Sequence, residues 1–335
     1  MQSYIFYRNF EEKKYLCDMQ LNAITRKSAL MAILLLVAII VAAAVRYAVA
    51  PFEMELSDSL FSERTISVVL AMFLFICCGI VEGKILPRSG LNNGYCTFPI
   101  PLYGLLACGI FVAPNTLATA VAALCFAVAM LLLLRSLHSA EEKDSVFFAA
   151  ILLGSTTLLY PPCIVLVGVV PLAIFILALS LRQTLLIVVG YLLPLLGASY
   201  AVWYGGSSFW QFGQNLFEAL ILQQMDAVHN TPYVAIVMTA VVVVILLWGG
   251  IYTIIHPDKM FMLAHVRRAL YLFLWVSLLS MTILLLPSCS LSVCAIVAVP
   301  ITILLSFVLS LLPNNHSTIA YWVLLALFVL HLFVE

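Results

Sequence analysis

The sequence predicts an all-α protein that spans a membrane about eleven times, and three observations lead to this prediction. Hydrophobic residues make up 65% of the chain and charged residues only 9%, whereas a soluble domain carries roughly a quarter charged residues. The apolar residues form long unbroken runs, unlike the alternating pattern of strands in a membrane barrel. In hydrocarbon, an unbroken apolar run pairs its own backbone groups by forming a helix.

Each predicted span needs roughly 17–25 apolar residues. The runs that meet or approach this length are 28–49, 65–83, 99–113, 115–134, 145–160, 163–181, 184–204, 233–255, 269–286, 290–312 and 318–334. The third and fifth runs are short and end in proline turns. A re-entrant hairpin therefore stays open at both, as an alternative to a full crossing.

The basic residues predict the orientation of the chain. With the N-terminus in the cytoplasm, 13 of the 15 lysine and arginine residues fall on the inner side, as the positive-inside rule requires. Arg46 and Arg64 fall outside, and so does the C-terminal Glu335. Residues 1–27 then form a cytoplasmic amphipathic segment, and residues 28–335 form a single transmembrane domain.

The stretch after the seventh run predicts a helix that lies on the outer membrane surface. Between positions 208 and 225, apolar side chains recur at helical spacing, and most polar side chains fall on the other face. Aromatic residues are typical of the headgroup region. Trp203 and Trp210 are therefore expected to contact lipid there.

Ionisable residues are scarce in the predicted spans. Asp, Glu, Lys and Arg are absent from positions 98–134 and 269–334, which disfavours ion-coupled transporters, pumps and voltage sensors. Glu82 is expected to pair with Lys84 at a helix end by snorkelling, and His331 is expected to reach the headgroups. Standard nucleotide, zinc-protease and serine-hydrolase motifs do not occur. No cofactor, metal site or nucleic-acid partner is predicted.

The first outer loop carries the candidate catalytic residues. Between positions 46 and 64 it contains Arg46, Glu53, Glu55, Asp58, Glu63 and Arg64. Carboxylates can act as a general base, so Glu53, Glu55 and Asp58 are candidate catalytic residues. Arginines can bind a phosphate through two hydrogen bonds, so Arg46 and Arg64 are candidate phosphate or lipid ligands. The alternative is a solvated loop whose acids pair with the two arginines.

With this acidic loop, the chain resembles the C-type (GT-C) membrane glycosyltransferases in its topology. The resemblance implies an N-terminus inside, around eleven or more spans and polyprenyl-phosphate sugar donors. It also implies a catalytic acid in the first outer loop, where Glu53, Glu55 and Asp58 are the matching positions, and interfacial helices after the seventh span.

A second resemblance involves short runs in the middle of the chain. The runs Leu134-Arg135-Ser136, Leu153-Gly154, Tyr160-Pro161-Pro162, Arg182-Gln183 and Gly190 with Pro194 are similar to an uncharacterised membrane family of Bacteroidota bacteria. This resemblance implies a bacterial inner (plasma) membrane location and a domain of unknown function.

Three functions stay open on the sequence. The first is a non-enzymatic component or scaffold of a cell-envelope process, in contact with the lipid bilayer and other envelope membrane proteins. The second is a GT-C-like transferase that uses polyprenyl-phosphate-linked donors at the outer face. The third is an uncoupled transporter or lipid flippase, in which Pro171, Pro194 and Pro300 bend helices around a pathway.

Overall fold

The computed structural model describes residues 29–49, 60–88, 97–110, 116–136, 145–221, 233–255, 264–284, 286, 289, 293–312 and 314–334. Apart from turns, these residues are helical. The helices are α1 (Ala29–Val49), α2 (Leu60–Arg88), α3 (Pro99–Ile110), α4 (Thr116–Arg135), α5 (Ser145–Leu159), a 3₁₀ helix (Pro161–Gly168), α6 (Val169–Leu177), α7 (Leu181–Tyr204), α8 (Gln211–Ile221), α9 (Tyr233–Ile255), α10 (Ala264–Ile283), α11 (Cys294–Leu311) and α12 (Asn314–Val334). No strand occurs in these ranges, so the all-α prediction is confirmed for them.

Every predicted apolar run carries helix in the structure. Six helices are long and apolar enough to cross a membrane by length and composition: Ser67–Pro87, Leu117–Arg135, Leu181–Tyr204, Val266–Ile283, Cys294–Leu311 and His316–Phe333. The third and fifth runs form the 12-residue α3 and the 15-residue α5. At 1.5 Å per residue these helices measure about 18 and 22 Å, less than the roughly 30 Å of a hydrocarbon core.

The sixth run begins with an unusual helix. Residues Pro161–Gly168 are wound as a 3₁₀ helix, with the two prolines in its first turn. The 3₁₀ form rises about 2 Å per residue and is rarely longer than four residues. Together with the nine residues of α6, this segment covers about 30 Å, one hydrocarbon thickness.

The sixth run ends in a tight turn before α7. Ala178 has a φ of 52°, and its N–H donates to the carbonyl oxygen of Ile174, which closes the helix through the left-handed conformation. The Ser180 N–H then donates to Gln183 Oε1 at 2.9 Å. This bond caps the start of α7.

Helix α11 forms the centre of the described bundle. It packs against α2, α3, α4, α9, α10 and α12, and sixteen of its eighteen residues are buried. A helix that is apolar on every side can be enclosed by other helices. The sequence Cys294–Leu309 meets this requirement because only Thr302 and Ser306 interrupt its apolar side chains.

Helices α5 and α7 cross at two glycines. A Cβ atom at Gly190 would lie 2.8 Å from the Phe147 carbonyl oxygen, and a Cβ at Gly154 would overlap the Tyr191 carbonyl oxygen. Close backbone approach through small residues is a general means of helix association in membranes. The Thr157 hydroxyl also bonds the Tyr191 hydroxyl at 3.0 Å within this crossing.

Candidate functional site

The structure describes only part of the predicted site in the first outer loop. Glu53, Glu55 and Asp58 lie outside the described residues. Arg46 is in the last turn of α1 and Arg64 is in the second turn of α2, and the positions of both side chains lie outside the described part. Helices α1 and α2 pack together, and the two arginines lie in the helical turns that precede and follow the loop in the sequence. The catalytic and phosphate-binding roles stay predictions.

The predicted amphipathic helix after the seventh run is α8. It packs against α7 and the 3₁₀ helix, with Phe212 and Leu216 half-buried and Glu218 exposed. One apolar edge stays uncovered, because Trp210 is 74% and Phe217 is 64% exposed. Helix α8 therefore has an apolar face that contacts the bundle and an apolar edge next to it that can contact lipid.

Aromatic side chains continue this edge into the end of α7. Trp203 is more than half exposed, and its ring lies 5.6 Å from the ring of Tyr200. Trp210 lies at the same distance from the ring of Phe209. The structure thus places Trp203 and Trp210 on the two sides of the α7–α8 turn, and their contact with lipid headgroups stays a prediction.

Two side chains that were expected at the membrane interface are buried. Glu82 has no exposed surface and His331 is 5% exposed. The predicted pairing of Glu82 with Lys84 is wrong, because Lys84 is exposed and residues two apart on a helix do not share a face. The side chain of His331, which was expected at the headgroups, is packed inside the bundle.

The environment of Glu82 is apolar and closely packed. Both of its carboxyl oxygens are buried and have no hydrogen-bond partner among the described residues. Glycines on either side hold α2 against its neighbours. A Cβ at Gly79 would lie 2.6 Å from Leu36 Cδ2 of α1, and a Cβ at Gly83 would lie 2.7 Å from Ile100 Cγ1 of α3.

Two polar side chains lie near Glu82. Cys78, one turn earlier in α2, and Tyr103 of α3 are both fully buried and close enough to interact electrostatically with the carboxyl. The Tyr103 hydroxyl donates to the Ala295 carbonyl oxygen of α11 at 3.2 Å. Its proton is therefore engaged with α11, and this site joins three helices.

Several other buried hydroxyls in the described helices are satisfied within their own helix. Ser277 donates to the Phe273 carbonyl oxygen at 2.7 Å, and Thr156 donates to the Leu153 carbonyl oxygen at 2.6 Å. Such bonds within one helix are the usual solution for polar side chains in a bundle. A carboxyl with two unpaired oxygens departs from this pattern, and an apolar environment accepts it as a neutral acid. No group of three or more metal-ligating residues occurs in the described part.

The sequence contained a signal for this site that the search for catalytic motifs missed. Gly79 and Gly83 have the four-residue spacing of a helix-contact motif, and Glu82 lies between them. A helix contact on this side predicts that Glu82 faces the bundle. The charge of the neighbouring Lys84 favoured the interfacial interpretation.

A second polar contact lies between the start of the 3₁₀ helix and the α10–α11 connection. The Tyr160 hydroxyl donates to Cys289 Sγ at 3.9 Å. Burial raises the pKa of Cys289 to about 11, although the Tyr160 hydrogen bond acts in the opposite direction. Cys289 is a thiol in the structure, and this pKa makes it a poor nucleophile at neutral pH.

We therefore expect Cys289 to react slowly with N-ethylmaleimide at pH 7. The thiolate is the reactive form, so a pKa near 11 makes the rate about 100-fold lower than for an ordinary thiol and raises it tenfold per pH unit up to pH 10. Mass spectrometry of the Cys289 peptide measures the rate, and Cys289→Ser identifies the signal. An equal rate at pH 7 in the folded protein and in denaturing detergent would contradict the burial of this thiol.

The described residues form an all-helical bundle in which six helices are long and apolar enough to cross a membrane. In comparisons with known proteins, no protein-family model, no curated protein and no solved structure matches the chain. The assignment of a function therefore starts from the chain's own residues.

Proposed function

We propose that the chain is an eleven-span protein of a bacterial inner membrane and a non-enzymatic component or scaffold of a cell-envelope process. Its N-terminus is cytoplasmic and its C-terminus is outside. Helix on every predicted apolar run, with six helices long enough to cross fully, supports a multi-span architecture. The distribution of basic residues, 13 inside and two outside, supports the orientation.

The observation that carries the scaffold role is the filled centre of the bundle. Helix α11 is enclosed by six helices and buries nearly all of its residues. A cavity between α1, α2 and α3 measures about 10 Å³ and has an apolar lining that includes Phe75 and Cys108. This volume holds about one water molecule. Such packing suits a rigid membrane component better than a pathway for a substrate through this part.

The test of this role is crosslinking in intact membranes, followed by purification of the full-length protein in mild detergent. We expect a second envelope membrane protein to purify with the chain in a fixed ratio. The controls are a sample prepared without the crosslinker and an unrelated membrane protein with the same tag. A chain that stays monomeric after crosslinking would contradict the proposal.

The GT-C-like transferase is the second candidate, and α8 is the observation that favours it. An amphipathic helix follows the seventh apolar run, where the resemblance places interfacial helices. In this case Glu53, Glu55 or Asp58 would act as the base. Arg46, Arg64, Trp203 and Trp210 would hold the phosphate and chain of a polyprenyl donor.

Glu55→Gln and Asp58→Asn test this candidate. We expect at least one of them to abolish sugar transfer from a polyprenyl-phosphate donor to envelope glycan, since a neutral amide cannot act as a base. Glu218→Gln, on the exposed face of α8, is the control and should keep full activity. Wild-type transfer in both loop variants would exclude the two acids as catalytic residues.

A further inference from the structure

Glu82 combines an ionisable side chain with an apolar position in a helix, and these two features conflict in a helix that has only a structural role. It lies in the apolar window Ser67–Pro87 of α2, and its two oxygens are buried without a partner among the described residues. The free energy of burying an unpaired carboxylate in an apolar medium is far higher than that of burying the neutral acid. An ionisable side chain at such a position indicates a functional site.

The groups around Glu82 offer no base to accept its proton. Cys78 and Tyr103 are the titratable side chains that interact with it, and Cys125 of α4 lies near Cys78. The described side chains of α1 include no titratable group, and those of α11 include only Cys294. The side chain of Lys84, two residues further along α2, is exposed.

The packing of α2 closes this position to water. Leu36 of α1 and Ile100 of α3 press directly against Gly79 and Gly83, on the helix face next to the carboxyl. Water can reach the oxygens when α2 moves away from these two side chains. Ionisation of Glu82 and the separation of these helices are therefore linked, because the carboxylate needs water that the closed bundle excludes.

We propose that Glu82 is a proton-binding site within the membrane. In the closed bundle the carboxyl carries its proton, and it releases the proton when α2 separates from α1 and α3. The ligand is a proton and the binding group is the carboxyl alone, with Tyr103 held by α11. This inference rests on the membrane embedding proposed above but not on the scaffold role.

Dicyclohexylcarbodiimide, a hydrophobic reagent, tests the protonated state. The carboxylic acid gives its proton to a carbodiimide nitrogen, and the carboxylate oxygen bonds to the central carbon. The adduct rearranges to an N-acylurea, so the peptide gains the mass of one carbodiimide and loses no atom. The full-length protein in lipid nanodiscs at pH 7 is expected to acquire one adduct, located at Glu82, and Glu82→Gln is expected to acquire none there.

Two controls make the result decisive. A water-soluble carbodiimide with an amine should label the exposed Glu218 and leave Glu82 unlabelled. Ile100→Ala removes the side chain that presses on Gly83 and should increase the labelling of Glu82 several-fold. The proposal is overturned if neither the wild type nor Ile100→Ala reacts, or if the water-soluble reagent labels Glu82 as fast as Glu218. Neither outcome changes whether a second protein copurifies, so the two proposals fail separately.

Discussion

Gly190→Ala is expected to destabilise the bundle by about 1–3 kcal/mol, the usual cost of overpacking a closed interior. Its Cβ would lie 2.8 Å from the Phe147 carbonyl oxygen and 2.9 Å from Ala150 Cβ, so α5 and α7 would have to move apart. Gly154→Ala is expected to cost at least as much, because its Cβ would overlap backbone atoms of Tyr191. The buried bond between Thr157 and Tyr191 would lengthen in both variants.

Helix α7 provides the matched control for this prediction. A Cβ at Gly197 would meet no atom within 4 Å, so Gly197→Ala should be neutral or stabilise the helix by up to about 1 kcal/mol through its higher helix propensity. Thermal unfolding in one detergent, followed by circular dichroism, compares the three variants with the wild type. If Gly190→Ala and Gly197→Ala unfold at the same temperature, the α5–α7 crossing is not as described.

Glu82→Met is expected to raise the free energy of unfolding by about 1–3 kcal/mol. The substitution replaces a buried, unpaired carboxyl with an apolar side chain that is also unbranched, and removing an unsatisfied polar group recovers the free energy of its desolvation. A stabilising loss of an acidic residue is typical of a site kept for function at the expense of stability.

The same substitution at an exposed position separates burial from charge. Glu218→Met on α8 should change the free energy of unfolding by no more than about 0.5 kcal/mol, as is usual at a surface. Both variants are compared with the wild type in the same unfolding experiment. A less stable Glu82→Met protein would show that the carboxyl has a bonding partner in the folded chain.

The sequence predicted the helices well because each apolar run defines its own element. The predicted run 233–255 coincides with α9. The larger differences between the predicted and the observed helix bounds occur where charged residues lie near the end of a helix. Helix α2 extends to Arg88, and α10 begins at Ala264, before Arg267 and Arg268. A span predicted from hydropathy ends at such charges. The helix itself continues past them, because long basic side chains reach the polar interface.

The candidate site was harder to predict because the neighbouring helices decide which side of a helix faces the bundle. Between Val68 and Val81 helix α2 is apolar on all sides, so its periodicity did not show whether Glu82 faces the bundle or the interface. The contacts with Leu36 and Ile100 decide this, and both come from other helices. The amphipathic helix α8 was predictable because its apolar and polar side chains separate onto two faces within its own sequence.

The 3₁₀ helix Pro161–Gly168 makes the length of its segment adjustable. Rewinding these eight residues as α-helix would shorten the segment by about 4 Å. Bilayers of different cellular membranes differ in thickness by a similar amount, a few ångströms. A change of pitch would therefore alter the length of this segment without any change in its sequence, and α8, which packs against it, would move with it.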